Sequence, residues 1–235
     1  MRRPDRRPIL RGALLAASLA CLPRLVTARP LAPPAAPPTA AAVRVAQPPL
    51  VDGDVLGDPA WAAVPPLTDF WQTTPVEGAR ASEPTEVRIV YTADTLYFGV
   101  VCRDSDPAGI VVNGSRRDSS LDETDAFEII LDTYRDRQNG FVFGTNPAGL
   151  EYDGQVTNEG QGGGASGGPG AAGGSLTGFN RNWDGAWVVK TRSGDFGWSA
   201  EFAIPFTTLR YGRERGREWG LNLQRNVRRR NESSF

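Results

Sequence analysis

Apolar and polar residues alternate in short runs along most of this chain. Phe127, Ile129 and Leu131 alternate with Ala126, Glu128 and Ile130, the two-residue period of a β-strand. Asn139-Gly140 follows, a pair that tolerates positive φ and so predicts a turn. Phe141 and Phe143 then share one face of a returning strand. Pro147-Ala148-Gly149 turns the chain again, toward Leu150, Tyr152 and Gln155. The sum is a meander with one apolar face and acids at its ends. Such a meander cannot bury that face alone, so a second sheet must cover it.

The same period recurs on both sides. Val87, Ile89 and Tyr91 alternate with Glu86, Arg88 and Val90, Ala93-Asp94 turns the chain, and the run 95–102 returns as Thr-Leu-Tyr-Phe-Gly-Val-Val-Cys. Phe70 and Trp71 read as a short strand. Trp183, Trp187 and Val189 lead into another, and Trp198, Ala200, Phe202 and Ile204 alternate with Ser199, Glu201 and Ala203. Pro205 ends that strand, and 206–209 reads as one helical turn. In a last strand over 219–229, Leu221, Leu223 and Arg225 oppose Gly220, Asn222 and Gln224. The one other helical signal is Asp58-Pro59, an N-cap followed by proline at the first helical position, which plants Trp61 in the core. Nine or more strands separated by Gly, Pro and Asp turns predict an all-β fold, a two-sheet antiparallel β-sandwich of jelly-roll-like type.

Composition narrows the chemistry. The 235 residues include no histidine, which removes Ser-His-Asp and Cys-His catalysis and every histidine-based metal site. A net charge of −1 favours neither nucleic acid nor an anionic membrane as partner. Of the two cysteines, Cys102 reads as a small buried strand residue. Residues 1–28 read as an export signal: a positive start at Arg2, Arg3, Arg6, Arg7 and Arg11, a short apolar run and small residues at Val26-Thr27-Ala28. Arg6-Arg7 followed by Ile9-Leu10-Arg11 resembles the twin-arginine pattern. The expected location is the periplasm, the outer membrane or outside the cell. Residues 29–46 read as a Pro- and Ala-rich linker, with packed structure starting near Val43, and 47–235 as the β domain. The run 159–175, almost all Gly, Ala and Ser, reads as a disordered insertion without a phosphate-loop pattern. Arg228-Arg229-Arg230 reads as the solvated end of an edge strand or a joint to a following domain.

Short motifs in a fixed order carry a resemblance. They include Val51-Asp52-Gly53 with Trp61, Leu96-Tyr97-Phe98-Gly99-Val100, Asp125 through Asp132, Asn146-Pro147-Ala148-Gly149, Gly197-Trp198-Ser199-Ala200-Glu201 and Trp219-Gly220. Over nearly all of 48–232 the chain resembles the family 9 carbohydrate-binding modules, in the version found at the front of exported bacterial proteins that continue into a membrane β-barrel-like region. The resemblance implies a two-sheet sandwich, a polysaccharide or oligosaccharide as ligand, and frequent attachment to glycoside hydrolases. It implies polar sugar contacts at Glu128 and, beside it, Asn146. It also shows two departures: Asp122 stands where sugar-binding members place a stacking tryptophan, and Gly144 where they place an arginine.

Sugar recognition needs an aromatic face for the apolar side of the ring and polar groups for its hydroxyls. Trp71, on a strand edge near loops, is the candidate platform, with Asp122, Glu128 and Asn146 as polar partners. Glu128 could equally pair with Arg116, Arg117 or Arg137, and the other tryptophans read as packing residues. Asp122, Glu123 and Asp125 before the strand, with Asp132 and Asp136 after it, could supply oxygen ligands to calcium or serve as turn acids. Carboxylate pairs such as Asp122 with Glu128, or Glu151 with Glu201, could be imagined as glycosidase pairs, but no intrinsic activity is expected. Glu201 reads as a partner of Arg210 or Arg225. The alternative to sugar binding is a structural or docking domain in front of an outer-membrane barrel.

Overall fold

The computed structural model describes residues 38–157, 178–212 and 218–235; the export signal at 1–28 and the Gly-rich run at 159–175 lie outside them. The described residues form twelve strands: β1 (Val43–Arg44), β2 (Gln72–Thr74), β3 (Thr85–Tyr91), β4 (Thr95–Arg103), β5 (Ala126–Asp132), β6 (Gly140–Thr145), β7 (Tyr152–Val156), β8 (Phe179–Asn180), β9 (Val188–Gly194), β10 (Gly197–Pro205), β11 (Gly220–Val227) and β12 (Glu232–Ser234). One helical turn, α1 (Pro59–Ala62), precedes β2. The strands build a five-stranded sheet, β1-β3-β4-β10-β9, and a seven-stranded sheet, β2-β12-β11-β5-β6-β7-β8. Among the described strands only β1 with β3 is parallel. This is the antiparallel β-sandwich that the alternation predicts.

The two sheets share one core. Phe127, Ile129, Phe141 and Phe143 from the seven-stranded sheet are at most 3% exposed. They pack against Phe98, Val100, Trp198 and Phe202 from the five-stranded sheet. Trp187 stacks on Phe202 with ring centroids 5.8 Å apart and planes 6° apart, and its edge meets Phe143. Burying each such ring contributes on the order of 2–3 kcal/mol. Cys102 is buried here too, its thiol pushed up to about 11 by desolvation.

Strand β4 is buried on both faces, which explains its near-continuous apolar run. Its outward residues Tyr97 and Val101 lie under Val55, Trp61 and Val64. Asp58 caps α1 through the Ala60 amide at 2.8 Å, with Pro59 at the first helical position. The cap aims the Trp61 ring at Gly99, where an added Cβ would sit 2.8 Å from it. Glu201 fixes the same segment. Its fully buried carboxylate accepts hydrogen bonds from the Trp61 indole (2.7 Å) and from the Asp52 and Gly53 amides (2.9 and 2.7 Å). It pairs with neither Arg210 nor Arg225, the partners expected from its place on an alternating strand. The outer face of the five-stranded sheet is thus roofed by the segment 45–64. Val43–Arg44, inside the stretch read as linker, already pairs with Val90 and Tyr91.

Two further readings change. The arginine-rich end is not a solvated strand terminus. Arg225 is fully buried and donates to Pro84 O and Thr85 Oγ1. Arg229 pairs with Glu83 (2.8 Å) and Asp104 (2.6 Å), and Arg230 with Glu83 (2.8 Å). Asn231 takes a left-handed conformation and turns β11 back into β12, which pairs with β2 at the edge of the sheet. The turn after β5 also differs. Its left-handed residues are Arg135 and Arg137, not Asn139-Gly140.

Candidate functional site

On the outer face of the seven-stranded sheet, β5 and β11 keep partly exposed residues, while Val142 of β6 and Tyr152 of β7 are buried. Strand alternation decides what it shows. Core-facing Phe127, Ile129 and Leu131 force Glu128 and Ile130 outward, and the register sets Gly144 of β6 and Gln224 of β11 directly beside Glu128. Tyr152 of β7 lies opposite Gly144. Ile130, Val142, Tyr152, Phe179, Leu121 and Leu150 form a small apolar cluster around this row.

Glu128 is the unusual group of the face. Its carboxyl makes no hydrogen bond or ion pair among the described residues. Arg117, one of its imagined partners, instead ties Glu151 (2.5 Å), Asp153 (2.8 Å) and Asp184 (2.5 Å) together at the sheet edge. Desolvation, with a smaller contribution from the Asp122 charge, pushes Glu128 up to about 7. Near neutrality it therefore interconverts between a hydrogen-bond donor and an anionic acceptor. Tyr152 responds to the same charges. Burial raises its hydroxyl, while the charge of Arg181 and its hydrogen bond to the hydroxyl work against that rise. Gln224 supplies an amide, its Nε2 directed to Asn226 at 3.0 Å.

Buried Tyr152 stacks with half-buried Phe179, centroids 6.1 Å and planes 25° apart, leaving Phe179 as the more accessible ring. Phe179 lies over Gly154, where an added Cβ would fall 2.4 Å from its ring. The glycine lets the ring rest on the sheet. Sequence reasoning missed Phe179, Arg181 and Gln224 as members of this site. Gly154 beside Tyr152, on a strand interior, was the available signal.

The four sequence-derived site residues separate. Asp122 and Glu128 come together, Asp122 exposed and bonded to Ser120 Oγ at 2.7 Å. Asn146 is corrected. It is fully buried, its Nδ2 donating to Gly114 O at 2.9 Å and its Oδ1 accepting from the Ala148 and Leu150 amides. It braces the loop beneath the site and offers no atom to a ligand. Trp71 is corrected as a partner of Glu128. Its backbone pairs with Phe235, Arg80 covers its ring at 4.7 Å, and β12 and β11 stand between β2 and β5, about 14 Å of sheet. Gly144 also has a physical reason: a Cβ there would lie 2.6 Å from Leu121 Cδ1 and 3.1 Å from Glu128 Cγ. Leu121 occupies the space into which an arginine would project.

Among the described residues no group of three or more His, Cys, Asp or Glu is gathered to hold a metal ion. The acids considered for calcium serve local structure instead. Asp132 accepts the Tyr134, Asp136 and Arg137 amides, Asp136 those of Gln138 and Asn139, and buried Asp125 that of Val111. Glu151 lies just before β7 of the seven-stranded sheet, and Glu201 on β10 of the five-stranded sheet.

No protein-family model and no curated protein matches the chain. Solved structures do. A family 9 carbohydrate-binding module from Caldicellulosiruptor kristjanssonii in complex with glucose aligns with a TM-score of 0.53 at 17% identity, over 83% of this chain and 83% of that one. The structure of a family 9 module from the same organism with cellotriose aligns at 0.51 and 18% identity, over 82% and 80%. A protein from Bacteroides uniformis, provisionally described as carbohydrate-binding, aligns at 0.54 and 14%, over 82% and 87%. At these identities the likeness lies in the fold, and the fold is family-9-like.

Proposed function

We propose that this chain is an exported, non-catalytic carbohydrate-binding domain that engages its ligand on the outer face of the seven-stranded sheet. The observation that carries the reading is Glu128. It is a largely desolvated carboxyl on that outer face, without a partner among the described residues, set beside Gln224 and near the stacked Tyr152–Phe179 pair. Desolvating a carboxyl without a partner costs stability, and a ligand hydroxyl supplies the missing hydrogen bond. Two structural neighbours were solved with glucose and with cellotriose, which makes linear glucans the first ligands to try. In the cell, the domain would hold an attached glycoside hydrolase or a following barrel against polysaccharide.

A second reading is favoured by Asp122 and Gly144. Among the described residues no second aromatic wall closes over Glu128, and Leu121 fills the arginine's place, as suits a docking domain without a sugar site. A glycan array followed by affinity electrophoresis separates the two. Sugar binding predicts retention that Glu128→Ala abolishes and Trp71→Ala leaves intact. Absence of retention on every polysaccharide ends the sugar reading and leaves docking. Turnover of aryl glycosides that vanishes in Glu128→Gln would instead reveal an enzyme.

A further inference from the structure

Asparagine or aspartate followed by glycine is a chemically fragile link. The glycine amide nitrogen can attack the preceding side-chain carbonyl carbon and close a five-membered imide, and glycine has no Cβ to obstruct the approach. Five such links lie among the described residues: Asp52-Gly53, Asn113-Gly114, Asn139-Gly140, Asp153-Gly154 and Asp184-Gly185. The fold protects four of them by engaging or burying the glycine. The Gly53 amide donates to Glu201 at 2.7 Å, and the Gly185 amide to Asp153 at 2.6 Å. Gly154 is buried inside β7 opposite Val142, and Gly140 is buried at the start of β6 opposite Val156. Asn139 is held as well. Its side-chain amide donates to Asp136 Oδ2 and its backbone amide to Asp136 Oδ1, both at 2.8 Å.

Asn113-Gly114 differs from the other four. Both residues are exposed, in the irregular segment between β4 and β5. Gly114 is left-handed at φ 81°, and the nearest atom to an added Cβ there is Ser119 Cβ at 3.2 Å. Among the described residues neither the Gly114 amide nor the Asn113 side chain makes a hydrogen bond. The backbone around them is nevertheless fixed. The Asn113 amide donates to Thr124 Oγ1 at 3.2 Å. Buried Asn146 reaches out through Nδ2 to the Gly114 carbonyl at 2.9 Å and the Asn113 carbonyl at 3.4 Å. The carbonyls of this link are therefore held, while its nucleophilic nitrogen and its electrophilic side chain are left free.

We infer that Asn113-Gly114 is a site of spontaneous covalent modification, at which the folded protein converts Asn113 to aspartate and isoaspartate while the same pair at Asn139-Gly140 stays intact. The inference does not depend on the carbohydrate reading. The Gly114 nitrogen gives up its proton to solvent and bonds to Asn113 Cγ. The bond from Cγ to Nδ2 breaks, and the side-chain nitrogen leaves as ammonia. Water then opens the imide at one of its two carbonyls. One opening restores the main chain and leaves an aspartate. The other reroutes the main chain through the side chain and lengthens it by one methylene. Both products add a carboxylate to the loop. The rerouted one also displaces the carbonyls that Asn146 holds, which strands a buried donor. The same loop continues to Asp118, whose amide donates to the Glu151 carbonyl at 2.9 Å, so the change is coupled to the edge of β7.

Peptide mapping by mass spectrometry tests this, with the intact protein and the guanidinium-denatured chain incubated side by side at pH 8. In the folded protein, conversion at Asn113 should outrun conversion at Asn139 by about tenfold or more, the factor that a local opening cost of about 1.4 kcal/mol at the protected link imposes. In denaturant the two links present the same reacting pair, and their rates should converge. Asn113→Gln lengthens the side chain by one carbon and disfavours the ring closure. Its side chain replaces one without a hydrogen bond, so the variant should melt as the wild type does. It should also lose the acidic species that builds up on ion exchange in step with Asn113 conversion. Equal rates at the two links in the folded protein overturn the inference. So does an Asn113 that stays unmodified when folded, or an acidic species that accumulates unchanged in Asn113→Gln.

Discussion

Glu128 and Glu201 are both outward-pointing glutamates on alternating strands, yet their surroundings set opposite roles. Glu201 is buried and raised by desolvation, and three N–H groups oppose that rise. Truncation would strand those donors, so Glu201→Ala should cost about 3 kcal/mol or more, read by urea denaturation and by a changed Trp61 emission. Glu128 has the desolvation without the donors. Its folded protein binds a proton more tightly than the unfolded chain does, from an ordinary 4.5 up to about 7. Protons are therefore taken up on folding between those values, and stability falls as pH rises through that window, by at most about 3 kcal/mol. Urea midpoints at pH 5 and pH 8 should differ in that direction. Glu128→Gln should flatten the difference and be the more stable protein at pH 8. If the wild type is instead stabilised by raising the pH while Glu128→Gln removes that gain, Glu128 is paired in solution and the site is wrongly drawn.

At the scale of elements, what could be read from sequence was what alternation and local turn chemistry determine. The meander β5-β6-β7, the hairpin β3-β4 and the capped α1 needed only neighbouring residues. Gly149, at φ 75°, closes its turn where Pro147-Ala148-Gly149 predicts one. What could not be read depends on partners far along the chain. Glu201 meets residues about 140–150 positions away, and Arg225 meets Thr85 140 positions away, so a spacing rule has no hold on either. β12 was invisible because Glu-Ser-Ser carries no strand pattern and gains its place from the turn at Asn231. The Arg137 conformation was hidden too, since Asp132 imposes it through one amide. Gly53 tests whether the roofing segment is as tightly seated as drawn. At φ 93°, with an added Cβ 2.6 Å from the Thr191 carbonyl carbon, Gly53→Ala should lower stability by about 2 kcal/mol or more, measured by thermal melting.

For the molecule as a whole, the division of labour follows from which faces the chain itself covers. The inner faces make the core, and Phe127→Ala should cost about 3–5 kcal/mol in chemical denaturation. One outer face is roofed by Trp61 and its neighbours. The other carries a small apolar cluster around Ile130, Val142 and Tyr152 and, beside it, Gln224 and the carboxyl of Glu128. Nitrogen–proton NMR of the domain titrated with cellotriose, or with the glycan the array retains best, tests this most directly. The account predicts shifts centred on the backbone amides of Glu128, Ile130, Gly144, Tyr152 and Asn222. Shifts confined to the five-stranded sheet or to Trp71 and its neighbours would contradict it.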